Sequence, residues 1–286
     1  MQDLAGKTAF ITGGASGLGL AMAHAFGAAG MNVMLADIET EPLARAVAEL
    51  EARQVKVAAV QCDVTDRAAL VAAARETVSA FGKVHVLCNN AGVGAGGPVD
   101  EMKPADWDWT FQVNLMGVIY GFEAFLPHIR AHGEGGAIIN TASMAGHMSP
   151  PGMEAYSASK FAVVALTEGW AAQLAPENIQ VQVLCPGFVR TRINQSGRNR
   201  PARFGGPQVR EIVPDDRVAN GIDPARVGAR VLEALQAGDL YIFTHPDMRP
   251  FVQLRFGRIM EGFDSADRSQ ALKGMDYRTP DLDLLP

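Results

Sequence analysis

Tyr156 and Lys160 stand four residues apart, and Ser143 lies thirteen residues before the tyrosine. On a helix over 155–175 the phenol and the ammonium share one face. Side by side they make a proton-transfer device. A free phenol titrates near 10, so about one in a thousand is ionised at pH 7. Lowering that value by two to three units takes roughly 3–4 kcal/mol of preferential support for the anion. A neighbouring ammonium in a partly dry cleft can supply much of it. A phenol tuned in this way gives or takes a proton at a carbonyl or alcohol oxygen. A hydroxyl such as Ser143 can hydrogen-bond the same oxygen. Alone, such a pair is more often a solvated helix face, so the rest of the chain decides.

The elements that must position these residues alternate. Apolar strands are expected at 7–12, 32–36, 55–60, 84–88, 136–141, 179–185 and 240–243, with helices at 41–53, 63–80, 104–131 and 155–175 between them. Thr65 or Asp66 is a candidate N-cap. Strands apolar throughout and separated by helices predict a parallel sheet covered on both faces. Right-handed crossovers make that α/β unit a Rossmann-type, doubly wound sheet of about seven strands in a single domain. Its site would lie at the C-terminal ends of the strands, where every cluster of suspicious residues falls. We expect this domain over 1–262, with an insertion at 190–223 and a polar tail at 263–286. The insertion is long for a loop and reads as a lid or as disorder. The tail reads as loose chain or as an arm on a neighbouring subunit.

Thr12 to Gly19 reads TGGASGLG, between the first strand and a helix. Gly13 and Gly17 permit a tight turn, and the helix N-terminus at Ser16, Gly17, Leu18 and Gly19 offers free N–H groups to a pyrophosphate. Asp37 ends the second strand, twenty residues after Gly17. A carboxylate there accepts hydrogen bonds from an adenosine ribose. It also argues for NAD over NADP. A 2′-phosphate about 4 Å from a carboxylate costs about 4 kcal/mol per unit charge at intermediate dielectric. No compensating basic residue stands at Ser16 or Ile38. Asp63 and Val64, after the third strand, would sit near the adenine, although Asp63 is equally a helix cap.

Composition narrows the class. The chain has 286 residues, 48% hydrophobic and 20% charged, enough for a sizeable soluble core. A net charge of −6 argues against a nucleic-acid partner. Cys62, Cys88 and Cys185 show no metal-like spacing and read as small buried hydrophobes in a reducing compartment. No basic segment with an apolar run opens the chain, and no apolar stretch is long enough to span a bilayer. The expected location is the cytoplasm. His128 and His132 are spaced as a metal pair, but no further ligand is evident, so no metal is expected.

Taken together, the chain resembles the classical subtype of the short-chain dehydrogenase/reductases. The matching pieces are Thr12–Gly19, Asp63–Val64, Asn89–Gly92, Asn114, Ser143, Tyr156–Lys160 and Pro186–Thr191, in the family's order and over roughly residues 5–192. The resemblance implies an NAD(H)-dependent oxidoreductase of secondary alcohols and ketones. Tyr156 would be the general acid/base, and Lys160 would lower its pKa and hold the nicotinamide ribose. Ser143 would orient the substrate oxygen. Asn114 would hold a water linking Lys160 to solvent, although by its residue type alone it reads as a kink or backbone-bonding position. Pro186, Gly187, Val189 and Thr191 would flank the nicotinamide, and Asn90, Ala91 and Gly92 would pass near its ribose. Asn89 reads as a tie between strands. The resemblance also implies a homo-oligomer, a dimer or tetramer built on the helices near 104–131 and 155–175.

Beyond residue 192 the resemblance fades into the Arg-rich insertion. Its arginines attract an anionic substrate or, more simply, solvate a loop. The NRPARFG stretch and the long C-terminal part resemble enzymes that oxidise the benzylic alcohol of lignin-type β-aryl ethers, which suggests a bulky or aryl alcohol. Met144, Met153 and Phe188 flank the active segment and are the candidate pocket wall with Ser143. His147 is a candidate beside them. Two other readings use the same residues: an epimerase or dehydratase that retains NAD, and a non-catalytic dinucleotide-binding scaffold.

Overall fold

The computed structural model describes residues 1–208 and 216–277. Its strands are β1 (Thr8–Thr12), β2 (Asn32–Asp37), β3 (Val57–Gln61), β4 (Val86–Asn89), β5 (Gly136–Thr141), β6 (Ile179–Cys185) and β7 (Tyr241–Phe243). They form one sheet in the order β3-β2-β1-β4-β5-β6-β7, and every pairing is parallel. The order reverses direction between β1 and β4. A crevice therefore opens above the C-terminal ends of those two strands.

The helices are α1 (Gly17–Ala28), α2 (Thr40–Glu51), α3 (Arg67–Phe81), α4 (Pro104–Phe111), α5 (Gly117–Ala131), α6 (Glu154–Leu174), α7 (Asp216–Ala219), α8 (Pro224–Ala237) and α9 (Arg249–Asp267). Successive strand residues point to opposite faces, so the sheet carries two cores. On one face Ile11, Leu35 and Ile139 pack with Phe26 of α1 and with Val227 and Leu235 of α8. On the other, Phe10, Met34 and Leu87 pack with Leu70 of α3 and Phe125 of α5. The Phe10 and Phe125 ring centroids are 4.2 Å apart.

Local chemistry sets the helix ends. Asp66, rather than Thr65, caps α3: its carboxylate accepts from the Ala68 and Ala69 N–H groups. Gly82 ends that helix at φ +81°. The helix expected across 104–131 is interrupted. Gln112–Met116 forms a π-helical turn between α4 and α5, and Asn114 lies within it. The chain end also departs from expectation. α9 runs across the boundary placed at 262, so the first part of the tail is helical.

The insertion at 190–223 contains two 3₁₀ turns, Ile193–Asn199 and Ala202–Phe204, then α7. Arg210, which the sequence groups with its arginines, and the last part of the tail lie outside the described residues. Arg192, Arg198, Arg200 and Arg203 pair with acidic groups at the strand ends and helices, as described below.

Candidate active site

The turn after β1 is built for close approach. Gly13 has φ +64° and Gly17 φ +56°, a region that favours glycine. Behind it Thr12 fastens two strand ends. Its hydroxyl donates to the Cys88 carbonyl at 3.2 Å and accepts from the Asn90 and Ala91 N–H groups at 2.8 and 3.0 Å. Asn90 adds a bond to the Thr12 carbonyl at 2.9 Å and accepts one from the Thr141 hydroxyl at 3.3 Å. Asn89 is buried and donates to the Asn140 side chain at 2.9 Å, so it ties β4 to β5 as its position suggested. α1 then starts without a side-chain cap, which leaves its first N–H groups for an anion. Gly19 serves differently from its neighbours: a Cβ there would fall 2.1 Å from the Gly13 carbonyl oxygen. It lets the helix pack on the turn and is not part of the cleft wall.

A cleft of about 260 Å³ runs from this turn to the tyrosine. Gly13, Ser16, Gly17, Leu18, Asp37, Ile38, Asp63 and Val64 line its nucleotide end. Asn90, Ala91, Gly92, Ser143, Tyr156, Lys160, Pro186, Gly187, Val189 and Thr191 line the other. A dinucleotide fits this donor set, because the glycine turn leaves room where a Cβ would intrude. Asp37 is held by N–H groups, Oδ2 from Ala15 at 3.0 Å and Oδ1 from Glu39 at 3.1 Å. Burial pushes its carboxyl up, and these bonds pull it back.

Lys160 is buried, and its Nζ donates to the Thr141 carbonyl at 2.8 Å. Burial lowers its pKa to about 8. The Nζ lies 5.7 Å from the centroid of the Tyr156 ring. Burial pushes the Tyr156 phenol up, and the Ser143 hydroxyl beside it partly offsets that. The ammonium turns to Thr141, and desolvation is the larger effect among the protein's own groups. Ser143 accepts from the Ala145 N–H at 3.1 Å, which fixes its rotamer.

Asn114 is fully buried and committed to protein partners. Its Oδ1 accepts from the Val93 N–H at 2.8 Å, and its Nδ2 donates to the Val93 carbonyl at 3.0 Å and to the Ser159 hydroxyl at 3.2 Å. The bonds to Val93 match the backbone-bonding role its residue type suggested. A Cβ on Gly92 would stand 3.4 Å from this Oδ1 and 3.5 Å from the Lys160 Nζ. Gly92 thus lies in ordinary contact range of both groups.

The expected substrate wall differs. Met144, Met153 and Phe188 are not among the cleft residues. Met144 is buried behind Ser143, and Met153 precedes α6, where its carbonyl accepts from Ser157. The Phe188 ring turns away to Arg217, 5.2 Å from the guanidinium carbon. Val93, Trp109, Val113, Ser196 and Pro201 line the cleft instead. His147 lies behind the site against Cys185, with its Nε2 3.3 Å from the thiol.

Sequence reasoning also missed how residues 192–203 of the insertion line this cleft and are tied beside it. Arg198 makes two bonds to Glu39, at 3.2 and 2.5 Å, and Arg192 comes within 3.9 Å of the same carboxylate. Burial works against the Glu39 carboxylate, but Arg198 and Asn199 outweigh it and hold the group low. Arg203 bonds Asp63 at 3.0 Å and the Thr65 hydroxyl at 2.5 Å. Arg200 is buried, pairs with Asp106, and lies over Trp109 at 5.3 Å. Basic groups thus stand at the nucleotide end of the cleft, paired with Glu39 and supplied from far along the chain. The partners are separated by up to 159 residues, and no local pattern announces them.

Away from the cleft, His85, His132 and Glu134 lie close enough to share a cation. The ring nitrogens are already used. His85 Nδ1 accepts from the Thr8 N–H and its Nε2 faces Glu134, while His132 Nε2 bonds the Val84 carbonyl and its Nδ1 accepts from the Glu134 N–H. A cation would have to displace these bonds.

A parallel seven-stranded sheet, a glycine turn at the order reversal and a Ser-Tyr-Lys set at one cleft are the layout of a short-chain dehydrogenase. The family model described as short chain dehydrogenase matches residues 7–202, and the chain belongs to that family of oxidoreductases. It is 34% identical to a C alpha-dehydrogenase of Sphingobium sp. strain SYK-6, over 91% of this chain and 88% of that protein. It is 33% identical to a CLA biosynthesis dehydrogenase/reductase of Lactiplantibacillus plantarum, over 91% of this chain and 95% of that protein. A solved short-chain dehydrogenase/reductase from Burkholderia phymatum, in complex with NAD, superposes with a TM-score of 0.86 at 37% identity. It covers 98% of this chain and 100% of that one.

Proposed function

We propose that this protein transfers hydride between NAD(H) and a secondary alcohol or ketone, with Tyr156 as the general acid/base. The observation that carries the reading is the single cleft joining the Gly13–Gly17 turn and Asp37 to Ser143, Tyr156 and Lys160. Bound nicotinamide would supply the two-electron carrier. Gly13, Ser16, Gly17 and Leu18 would hold the pyrophosphate, Asp37 and Ile38 the adenosine ribose, and Asp63 and Val64 the adenine side. Asn90, Ala91, Gly92 and Lys160 would hold the nicotinamide ribose, with Pro186, Gly187, Val189 and Thr191 against the ring.

The protein's own work is positioning and proton control. Tyr156 takes the hydroxyl proton in oxidation and returns it in reduction. Ser143, its rotamer fixed by Ala145, hydrogen-bonds the same substrate oxygen. Lys160 adds positive charge within 6 Å of the phenol ring. Asn114 supports the site by holding Val93 and Ser159. Asp37 favours NAD, because a 2′-phosphate would meet its charge.

A bulky or aryl alcohol suits the far wall, where Trp109, Val93, Val113 and Pro201 give an apolar surface. The C alpha-dehydrogenase relative points the same way. The described residues 192–204 act as a lid over the cleft. The three cysteines are all free and buried, which is consistent with work in the cytoplasm, and the family resemblance suggests a dimer or tetramer. Among the described residues no helix is long and apolar enough to cross a membrane. A panel of secondary aliphatic and aryl alcohols and their ketones, read at the NADH absorbance with NAD and NADP, tests the proposal. NAD-linked turnover of aryl alcohols is expected. Turnover confined to NADP, or none across the panel, would contradict it.

A further inference from the structure

We propose that His245 is a positioning residue that clamps the turn Pro186–Phe188 from behind and so sets the wall facing the nicotinamide. The inference rests on the reading that Pro186, Gly187 and Val189 lie along that ring. His245 stands between β7 and α9, fifty-eight residues after Gly187, and is not itself a cleft residue. Its imidazole reaches the turn with both nitrogens. Nδ1 accepts from the Gly187 N–H at 3.1 Å. An N–H aimed at Nδ1 means that this nitrogen carries no proton, so the proton is on Nε2. Nε2 then donates to the Phe188 carbonyl at 3.1 Å. The Thr244 hydroxyl also donates to Nδ1, at 2.8 Å, and supports the same tautomer.

The missing side chain at Gly187 lets the ring come this close. A Cβ there would stand 2.7 Å from the imidazole and 2.9 Å from the Met248 sulfur. The ring therefore lies directly on the backbone, while Gly187 also lines the cleft. Met248 is buried, and its N–H bonds the His245 carbonyl at 3.1 Å, which seats the clamp.

The turn is tied to the catalytic side as well. The Pro186 carbonyl accepts from the Met144 N–H at 2.9 Å and from the Ser143 hydroxyl at 3.4 Å. The Phe188 carbonyl has a second donor in the Ile222 N–H, at 3.0 Å. The Gly187 N–H has no such reserve: among the described residues, Nδ1 is its one acceptor. Without that acceptor a partly buried donor is left unpaired, and the turn shifts to satisfy it. The shift carries the Pro186 carbonyl with it, and with that carbonyl a partner of Ser143. A misplacement of about 1 Å at a reacting centre can cost about 10²-fold in rate.

Three variants separate the two bonds. His245→Asn puts an amide oxygen where Nδ1 stands and keeps the bond to Gly187. His245→Gln puts an amide N–H near the place of Nε2 and keeps only the bond to Phe188. His245→Leu keeps neither. The single-turnover rate of NADH formation, with saturating NAD and the most active alcohol of the panel, should fall about 10- to 100-fold in His245→Leu and His245→Gln. His245→Asn should recover most of that loss. NADH affinity and the KM for the alcohol should move less than the rate. Hydrogen exchange at the Gly187 amide, followed without cofactor, should speed up in His245→Leu and His245→Gln and stay slow in His245→Asn. Equal rates in the three variants, whether high or low, overturn the proposal. So does Gly187 exchange that His245→Leu leaves unchanged. A parent protein that forms no NADH would contradict the proposed reaction instead, and Gly187 exchange would then decide the clamp by itself.

Discussion

Arg200 offers the sharpest handle on the lid. Its guanidinium is 5% exposed, pairs with Asp106 and stacks over Trp109 in the cleft wall, and its Nε donates to the Phe204 carbonyl at 2.6 Å. Arg200→Met keeps much of the length and packing but removes the charge. Asp106 is then left with the Lys103 N–H, 2.8 Å away, as its remaining close donor in the lid region. Breaking a buried ion pair from one side costs about 3–5 kcal/mol. Asp106 is 14% exposed, so water recovers part of this, and about 2–3 kcal/mol is a fair expectation for the lid. At about 1.4 kcal/mol per tenfold, lid opening should rise roughly 30- to 150-fold. Hydrogen exchange of residues 193–208 should speed up by that factor while the central strands keep their protection. KM for the alcohol should rise more than the Kd of NADH. Unchanged exchange over 193–208 and unchanged KM would refute the idea that this pair closes the cleft.

Two further tests address the cofactor end and the buried ammonium. Glu39→Gln frees Arg192 and Arg198 at the nucleotide end of the cleft, so the ratio of kcat/KM with NADP to that with NAD should rise about 10- to 100-fold, each tenfold reflecting about 1.4 kcal/mol of one relieved charge contact. An unchanged ratio would mean that those arginines do not face the ribose. Lys160 is buried with its pKa lowered to about 8, so the unfolded chain binds the extra proton between that value and its ordinary value near 10.4. Its charge therefore destabilises the fold fully below pH 8, and stability from this source rises with pH from about 8 to 10.4. Lys160→Met should raise unfolding stability by up to about 3 kcal/mol at pH 7, with the gain shrinking towards pH 10. A gain independent of pH would point to packing rather than charge.

The strand positions were legible because parallel strands buried on both faces are continuous apolar runs, as in 32–36 and 179–185. The glycine turn was legible because Gly13 and Gly17 adopt conformations that other residues resist. The Tyr-Lys pair was legible because helical spacing is local. What failed to show was what depends on long-range geometry. Asn114 sits in a π turn that no residue pattern announces. Lys160 donates to the Thr141 carbonyl, nineteen residues earlier in the chain, a partner that helical spacing does not announce. Met144 and Phe188 flank the site in sequence but point elsewhere, because backbone direction after β5 and β6 decides which side chain meets the cleft. The lid arginines look like a solvated loop until the fold brings Glu39, Asp63 and Asp106 beneath them.

The account rests on Tyr156 moving the proton in a cleft that already holds the dinucleotide. Turnover and NADH binding of Tyr156→Phe, measured on the same preparation, test that most directly. The phenyl ring keeps the packing and loses only the hydroxyl. The predicted result is a fall in kcat of about 10²–10⁴-fold with NADH affinity nearly unchanged. Turnover close to that of the parent protein would contradict the assignment.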